Sequence, residues 1–197
     1  GESQLVADDL PTFERIRYGL GTFVKRASSQ DRLVIFISGH GGGDAGGNLF
    51  LLAADTDPNE LEVKGYPMWD LKTVIELFVP CREVLLVVDA CHSGVTGAGL
   101  ATLRDVTKDQ VVVLKEAASK TSGKGVALLA SSIGNEKSQE DARWGGGHGV
   151  FTWALLEGLG GAADRDSNGE VSLLELWDYV DAKVKDETKF NQHPDRE

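Results

Sequence analysis

His40 and Cys91 are the residues of this 197-residue chain whose types and surroundings best suit chemistry. His40 lies in Ser38-Gly39-His40-Gly41-Gly42, and Cys91 in Asp89-Ala90-Cys91-His92-Ser93-Gly94. A thiol with an ordinary pKa of about 8.5 is mostly protonated at neutral pH, so a nucleophilic cysteine needs a base or a cation beside it. Imidazole suits that task. The pair points to acyl transfer, with the Gly41 and Cys91 amides as the two donors that a developing oxyanion needs. The other histidines are poorer partners. His92 adjoins the thiol in sequence, and adjacent side chains point apart. His148 lies in a glycine loop ahead of a helix, and His193 lies near the end of the chain.

Two apolar runs must position the pair. Leu33-Val34-Ile35-Phe36-Ile37 precedes His40, and Val84-Leu85-Leu86-Val87-Val88 precedes Cys91. Both read as buried strands of a parallel sheet, each ending at the C-terminal edge where α/β proteins build their sites. Gly125 to Ser132 reads as a third strand ending at the same edge. Helices are expected from Thr12, as cap, through Val24, from Met68 to Phe78, from Val150 to Leu159, and from Leu173 to Lys185. Asp55 to Gly65 reads as a polar loop, and Asp105 to Lys120 is ambiguous between strand and helix. The spacing Gly41-x-Gly43-x-x-Gly46 satisfies a dinucleotide fingerprint, but the apolar run Asn48 to Ala53 that follows reads as a strand where that motif demands a helix. A dinucleotide site is therefore rejected.

Alternating strands and helices with no dividing linker predict one α/β domain over residues 1–197. The net charge of −11, from 20 basic and 31 acidic residues, argues against nucleic acid and anionic membrane as partners and favours basic peptides or cations. The absence of a long apolar run and of a leader-like start predicts a cytoplasmic protein. Cys81 and Cys91 flank one strand, roughly 30 Å apart, too far for a bridge. Two free thiols suit a reducing compartment.

These motifs resemble those of the caspase-like cysteine peptidases, in particular the bacterial metacaspase-like (orthocaspase) members. Ser38-Gly39-His40-Gly41 and Asp89-Ala90-Cys91-His92-Ser93-Gly94 carry the resemblance. Ala130-Ser131-Ser132, Gly147-His148-Gly149-Val150-Phe151-Thr152 and Gln192-His193-Pro194 extend it. The resemblance implies a three-layer α/β/α sandwich with a mostly parallel central sheet, His40 as general base and Cys91 as nucleophile. The family's opening strand and helix have no counterpart before Thr12, so the chain reads as a fragment or the processed part of a longer one. The missing N-terminal segment, or a regulatory domain, is then an expected partner.

In such enzymes the residue two before the nucleophile lines the pocket for the substrate residue preceding the cut. Here that is Asp89, with Ser131 and Asp44 as contributors from neighbouring loops. A carboxylate there predicts cleavage after Arg or Lys and rejection of Asp. Arg104, Lys108, Lys115, Lys120 and Lys124 are candidate targets for self-processing, the alternative for each being a solvated surface charge.

One motif stands apart from the proteolytic reading. Asp164-Arg165-Asp166-Ser167-Asn168-Gly169, with Glu175 at position twelve, fits the EF-hand spacing. Asp164, Asp166 and Asn168 would offer side-chain oxygens, Glu170 its carbonyl and Glu175 two oxygens, a set suited to Ca²⁺. The alternative is a tight turn leading to a helix capped by Ser172. The proteolytic chemistry itself requires no cofactor, and the resemblance does not place a calcium site at this loop. Two other readings are an idle caspase-like scaffold or calcium-regulated interaction module, and a legumain-like peptidase. The Asp-Ala-Cys-His-Ser-Gly stretch favours the metacaspase side.

Overall fold

The computed structural model describes residues 11–44, 48–91, 125–133 and 136–197. Its centre is a six-stranded mixed sheet of order β3-β2-β1-β4-β5-β6. The strands are β1 (Arg32–Gly43), β2 (Leu49–Leu52), β3 (Gly65–Pro67), β4 (Glu83–Cys91), β5 (Gly125–Ala130) and β6 (Asp195–Arg196). β1, β4 and β5 are mutually parallel, while β2, β3 and β6 run antiparallel to their neighbours. The three parallel strands are the three apolar runs of the sequence, because β-branched and aliphatic residues pack best where a sheet is covered.

The helices are α1 (Phe13–Gly21), α2 (Leu61–Lys64), α3 (Met68–Leu77), α4 (Val150–Glu157) and α5 (Leu173–Glu187). On one face of the sheet, Ile35, Ile37, Val84, Leu86, Val88 and Leu128 pack against Ile16 of α1 and Leu71, Val74 and Ile75 of α3. On the other, Val87 and Leu129 pack against Val150, Phe151 and Ala154 of α4 and Leu176, Val180 and Val184 of α5. Each fully buried aliphatic side chain is worth about 1.5–3 kcal/mol of transfer free energy. Cys81 is a fully buried member of the first cluster. Among the described residues no helix is long and apolar enough to cross a membrane.

β1 departs from the expectation of a strand buried on both faces. Ile35 and Ile37 are buried, but Val34 is 61% and Phe36 47% exposed. Among the described residues, the core under the second helical layer takes side chains from β4 and β5 and none from β1. Along Arg32–His40, β1 pairs with β4 on one edge; its other edge has no partner among the described residues except where Gly41–Gly43 meet β2.

Helix ends differ in instructive ways. Thr12 is the N-cap of α1 but its side chain makes no capping bond. The Phe13 N–H instead donates to Asp55 Oδ1 at 2.8 Å. That bond, with Lys64 beside it, holds the Asp55 carboxyl below its ordinary range. The expected first helix stops at Gly21, and Phe23–Arg26 follows as a separate 3₁₀ turn carrying the buried Val24. The polar loop before Gly65 contains the short helix α2. α4 ends at Glu157 and continues as a π turn, Gly158–Ala162, where Gly161 at φ 109° breaks the helix as its glycines predict. The helix expected to end at Lys185 runs on to Glu187. The ambiguous 105–120 stretch and the basic residues proposed for self-processing lie outside the described residues.

Candidate active site

Strand pairing brings the two halves of the site together. In the β1/β4 register Ser38 is the partner of Asp89, Gly39 of Ala90 and His40 of Cys91. Neighbouring strands lie about 4.8 Å apart, so residues distant in sequence become adjacent at one sheet edge. His40 is exposed at the point where β1 changes partners, because from Gly41 onward it pairs with β2, starting at Gly41↔Leu51. Cys91 is the last residue of β4. β5 reaches the same edge: the Ser131 N–H donates to the Val88 carbonyl at 2.9 Å. Ser131 itself is buried.

Asp89 is only 4% exposed. Its Oδ1 accepts the Ser138 hydroxyl at 2.7 Å and its Oδ2 the Thr152 hydroxyl at 2.5 Å. No Lys, Arg or His nitrogen among the described residues forms an ion pair with it. Gly149 closes one side by backbone alone, since a Cβ there would lie 2.7 Å from Asp89 Oδ2. Its φ of −61° is ordinary, so glycine serves here for clearance rather than conformation. Behind Ser138 stands Gln192, fully buried, donating through Nε2 to the Ser131 carbonyl at 2.8 Å and to Ser138 Oγ at 3.3 Å.

Sequence reasoning missed Ser138, Thr152 and Gly149 as neighbours of Asp89, and Gln192 as the support behind Ser138. Gly149, Thr152 and Gln192 lay in stretches that carry the family resemblance, but nothing in the sequence linked them to Asp89. His193, placed near the end of the chain, is anchored to Glu136: its N–H donates to Oε2 at 2.6 Å and Nδ1 lies 2.7 Å from Oε1. Asp44 lies in the loop after β1, where its carboxylate accepts the Asn48 N–H and side-chain amide at 2.8 and 2.7 Å. His148 is exposed and caps a turn through its N–H to the Trp144 carbonyl.

The family model described as the caspase domain matches residues 3–197. The chain belongs to the caspase-domain family. A crystal structure of a Geobacter sulfurreducens protein is similar over 94% of this chain and 72% of that one, with a TM-score of 0.57 at 18% identity, a likeness of fold. Among curated proteins none matches. A caspase domain carries cysteine-peptidase chemistry as its coarse reading, and the mixed sheet with layered helices is the sandwich expected of it.

In this caspase domain the second motif forms its own closed loop. One side-chain oxygen each of Asp164, Asp166 and Glu175 lie within 4.8 Å of one another. Asp164 Oδ1 and Oδ2 accept the Asn168 and Gly169 N–H groups at 3.1 and 2.9 Å, and Asn168 Oδ1 accepts the Glu170 N–H at 2.7 Å. Gly169 has φ 86°, the left-handed turn that the sixth loop position requires. Ser172 caps α5 through a capping box with Glu175. The hydrogen bonds from Ser172, then the amides of Arg165 and Asp166, hold the Glu175 carboxyl below its ordinary range. The structure thus brings together three of the five proposed ligands as carboxylates, while the Asn168 side chain is turned to a backbone amide. These oxygens are hard donors of the kind Ca²⁺ takes.

Proposed function

We propose that this caspase domain is a cysteine endopeptidase of the metacaspase-like kind, cleaving after Arg or Lys through Cys91 and His40. The observation that supports it most is the β1/β4 register, in which His40 and Cys91 are partners. His40 takes the thiol proton, the thiolate attacks the carbonyl carbon, and the Gly41 and Cys91 amides hold the oxyanion. Collapse of the tetrahedral adduct breaks the C–N bond, with His40 returning the proton to the leaving amine. Water, deprotonated by His40, then cleaves the thioester and frees the enzyme. A buried carboxylate with no protein cation paired to it among the described residues supports Asp89 as the counter-charge for a guanidinium or ammonium, with Ser131 and Asp44 as its neighbours in this reading. Cys81, fully buried and in no disulfide among the described residues, suits the reducing cytoplasm.

The deciding experiment uses three peptides that differ only in Arg, Lys or Asp before the scissile bond, together with a thiol-directed peptidyl inhibitor. Cleavage of the basic peptides, with labelling at Cys91 that is lost in His40→Ala, is the expected result. Preference for Asp would overturn the specificity, and unlabelled Cys91 would return the chain to an idle scaffold. A second part of the reading assigns Ca²⁺ to Asp164, Asp166 and Glu175, with Asn168 and the Glu170 carbonyl completing the set, on the strength of their gathered oxygens. Bound there, the ion would tie the loop to the start of α5. It takes no part in bond cleavage.

A further inference from the structure

The hydrogen bonds behind Asp89 run in one direction. The Gln139 N–H donates to Gln192 Oε1 at 2.7 Å, which fixes the orientation of the Gln192 amide. Gln192 Nε2 must then donate, and it does so to the Ser131 carbonyl and to Ser138 Oγ. With its oxygen accepting from Gln192, Ser138 directs its single proton at Asp89 Oδ1. Thr152, in the first turn of α4, directs a second hydroxyl at Oδ2. The two carboxylate oxygens are therefore fixed by donors from two separate segments, and the Gly149 backbone closes on Oδ2. A carboxylate has roughly four acceptor sites, so two hydroxyls leave each oxygen with capacity to spare.

We infer that Ser138, Thr152 and Gln192 are positioning residues for substrate selection, holding both oxygens of Asp89 in the fixed plane that pairs with an arginine fork in preference to a lysine ammonium. The inference rests on the reading of Asp89 as the specificity carboxylate. Its physical basis is that a guanidinium gains from two acceptors in a set orientation, whereas an ammonium is a point charge indifferent to that orientation. A carboxylate free to rotate would treat the two substrates more nearly alike.

The test measures kcat and KM of the full chain on peptides differing only in Arg, Lys or citrulline before the cut. Citrulline keeps the shape of arginine without its charge. The wild type is expected to prefer Arg over Lys by about fivefold to tenfold, the net worth of one ordinary hydrogen bond. Thr152→Val and Ser138→Ala should each bring the Arg-to-Lys ratio close to one, with KM for Arg rising more than kcat falls. Thr152→Ser should restore the ratio. Gln192→Glu, nearly isosteric but unable to donate, should behave like Ser138→Ala. Thermal melting of each variant identifies those that fold, and the three sites provide independent chances to read the ratio. Folded variants that keep the wild-type ratio would overturn the inference while leaving Asp89 in place. A wild type that cuts citrulline as well as Arg would overturn the reading of Asp89 itself, and the inference with it.

Discussion

Two groups of carboxylates in this molecule are held in opposite ways. Asp89 is buried and receives its hydrogen bonds from Ser138 and Thr152, 49 and 63 residues away. Asp164, Asp166 and Glu175 are gathered in one exposed to half-buried loop, and their hydrogen-bond donors come from that loop and the cap of α5. The first arrangement exists only when three distant segments have already packed. The second needs little beyond a left-handed glycine and a helix start. Placement by tertiary structure suits a group that must meet a substrate at a fixed angle. Placement by local structure suits a group that can adjust around an ion.

The largest effects should come from the tertiary site. Cys91→Ala is expected to abolish peptide cleavage and His40→Ala to lower kcat/KM by about 10³-fold or more, with melting temperatures little changed. Retained cleavage in either variant would remove the dyad from the mechanism. Next, Asp89→Asn should cost about a hundredfold in kcat/KM for Arg peptides, as loss of a buried charge partner does. An unchanged preference for basic peptides would locate the counter-charge elsewhere. Gly149→Ala drives a Cβ to 2.7 Å from Asp89 Oδ2, and should destabilise the fold by about 1–3 kcal/mol, the usual cost of overpacking. Denaturant unfolding reads this directly, and a neutral result would mean that the carboxylate yields freely.

The local loop should respond more gently. Ca²⁺ at about 100 times its dissociation constant should stabilise the domain by about 2.7 kcal/mol. Scanning calorimetry should show a rise in Tm that Asp164→Ala abolishes; no rise in the wild type would exclude the ion. The smallest effect concerns Glu175 in Ca²⁺-free buffer. Its folded pKa is depressed, so its contribution is present above the unfolded value of about 4.3 and is lost as pH falls through the lower folded one. The Tm gap between wild type and Glu175→Gln should therefore close on acidification from neutral pH to below that range. A gap that widened would contradict the capping role.

The same contrast explains what the sequence disclosed. The parallel strands, the His40 and Cys91 positions and the Ser172 cap were legible because run composition and short spacings encode them. The cap of α1 was misread: Thr12 had the right type and place, yet Asp55, 42 residues on, supplies the acceptor. β1 was read as buried on both faces because Val34 and Phe36 are as apolar as Ile35 and Ile37; their exposure depends on how far α4 and α5 extend over the sheet. The partners of Asp89 were missed for the same reason. Serine and threonine are ordinary residues until a fold directs them at one carboxylate, as is a glutamine until it stands behind one of them.

The parallel register between β1 and β4 also bears on when the molecule can act. His40 leaves the ribosome well before Cys91, and no local structure joins them. Under the proposed chemistry, the dyad forms only once the nine paired positions from Arg32↔Glu83 to His40↔Cys91 have aligned. A slip of one residue would move the thiol about 3.3 Å along the strand and reverse its face. Proteolysis by this dyad would then be silent in the nascent chain and in misaligned sheets. On that reading the architecture would act as a timer, keeping a destructive activity off until folding is complete.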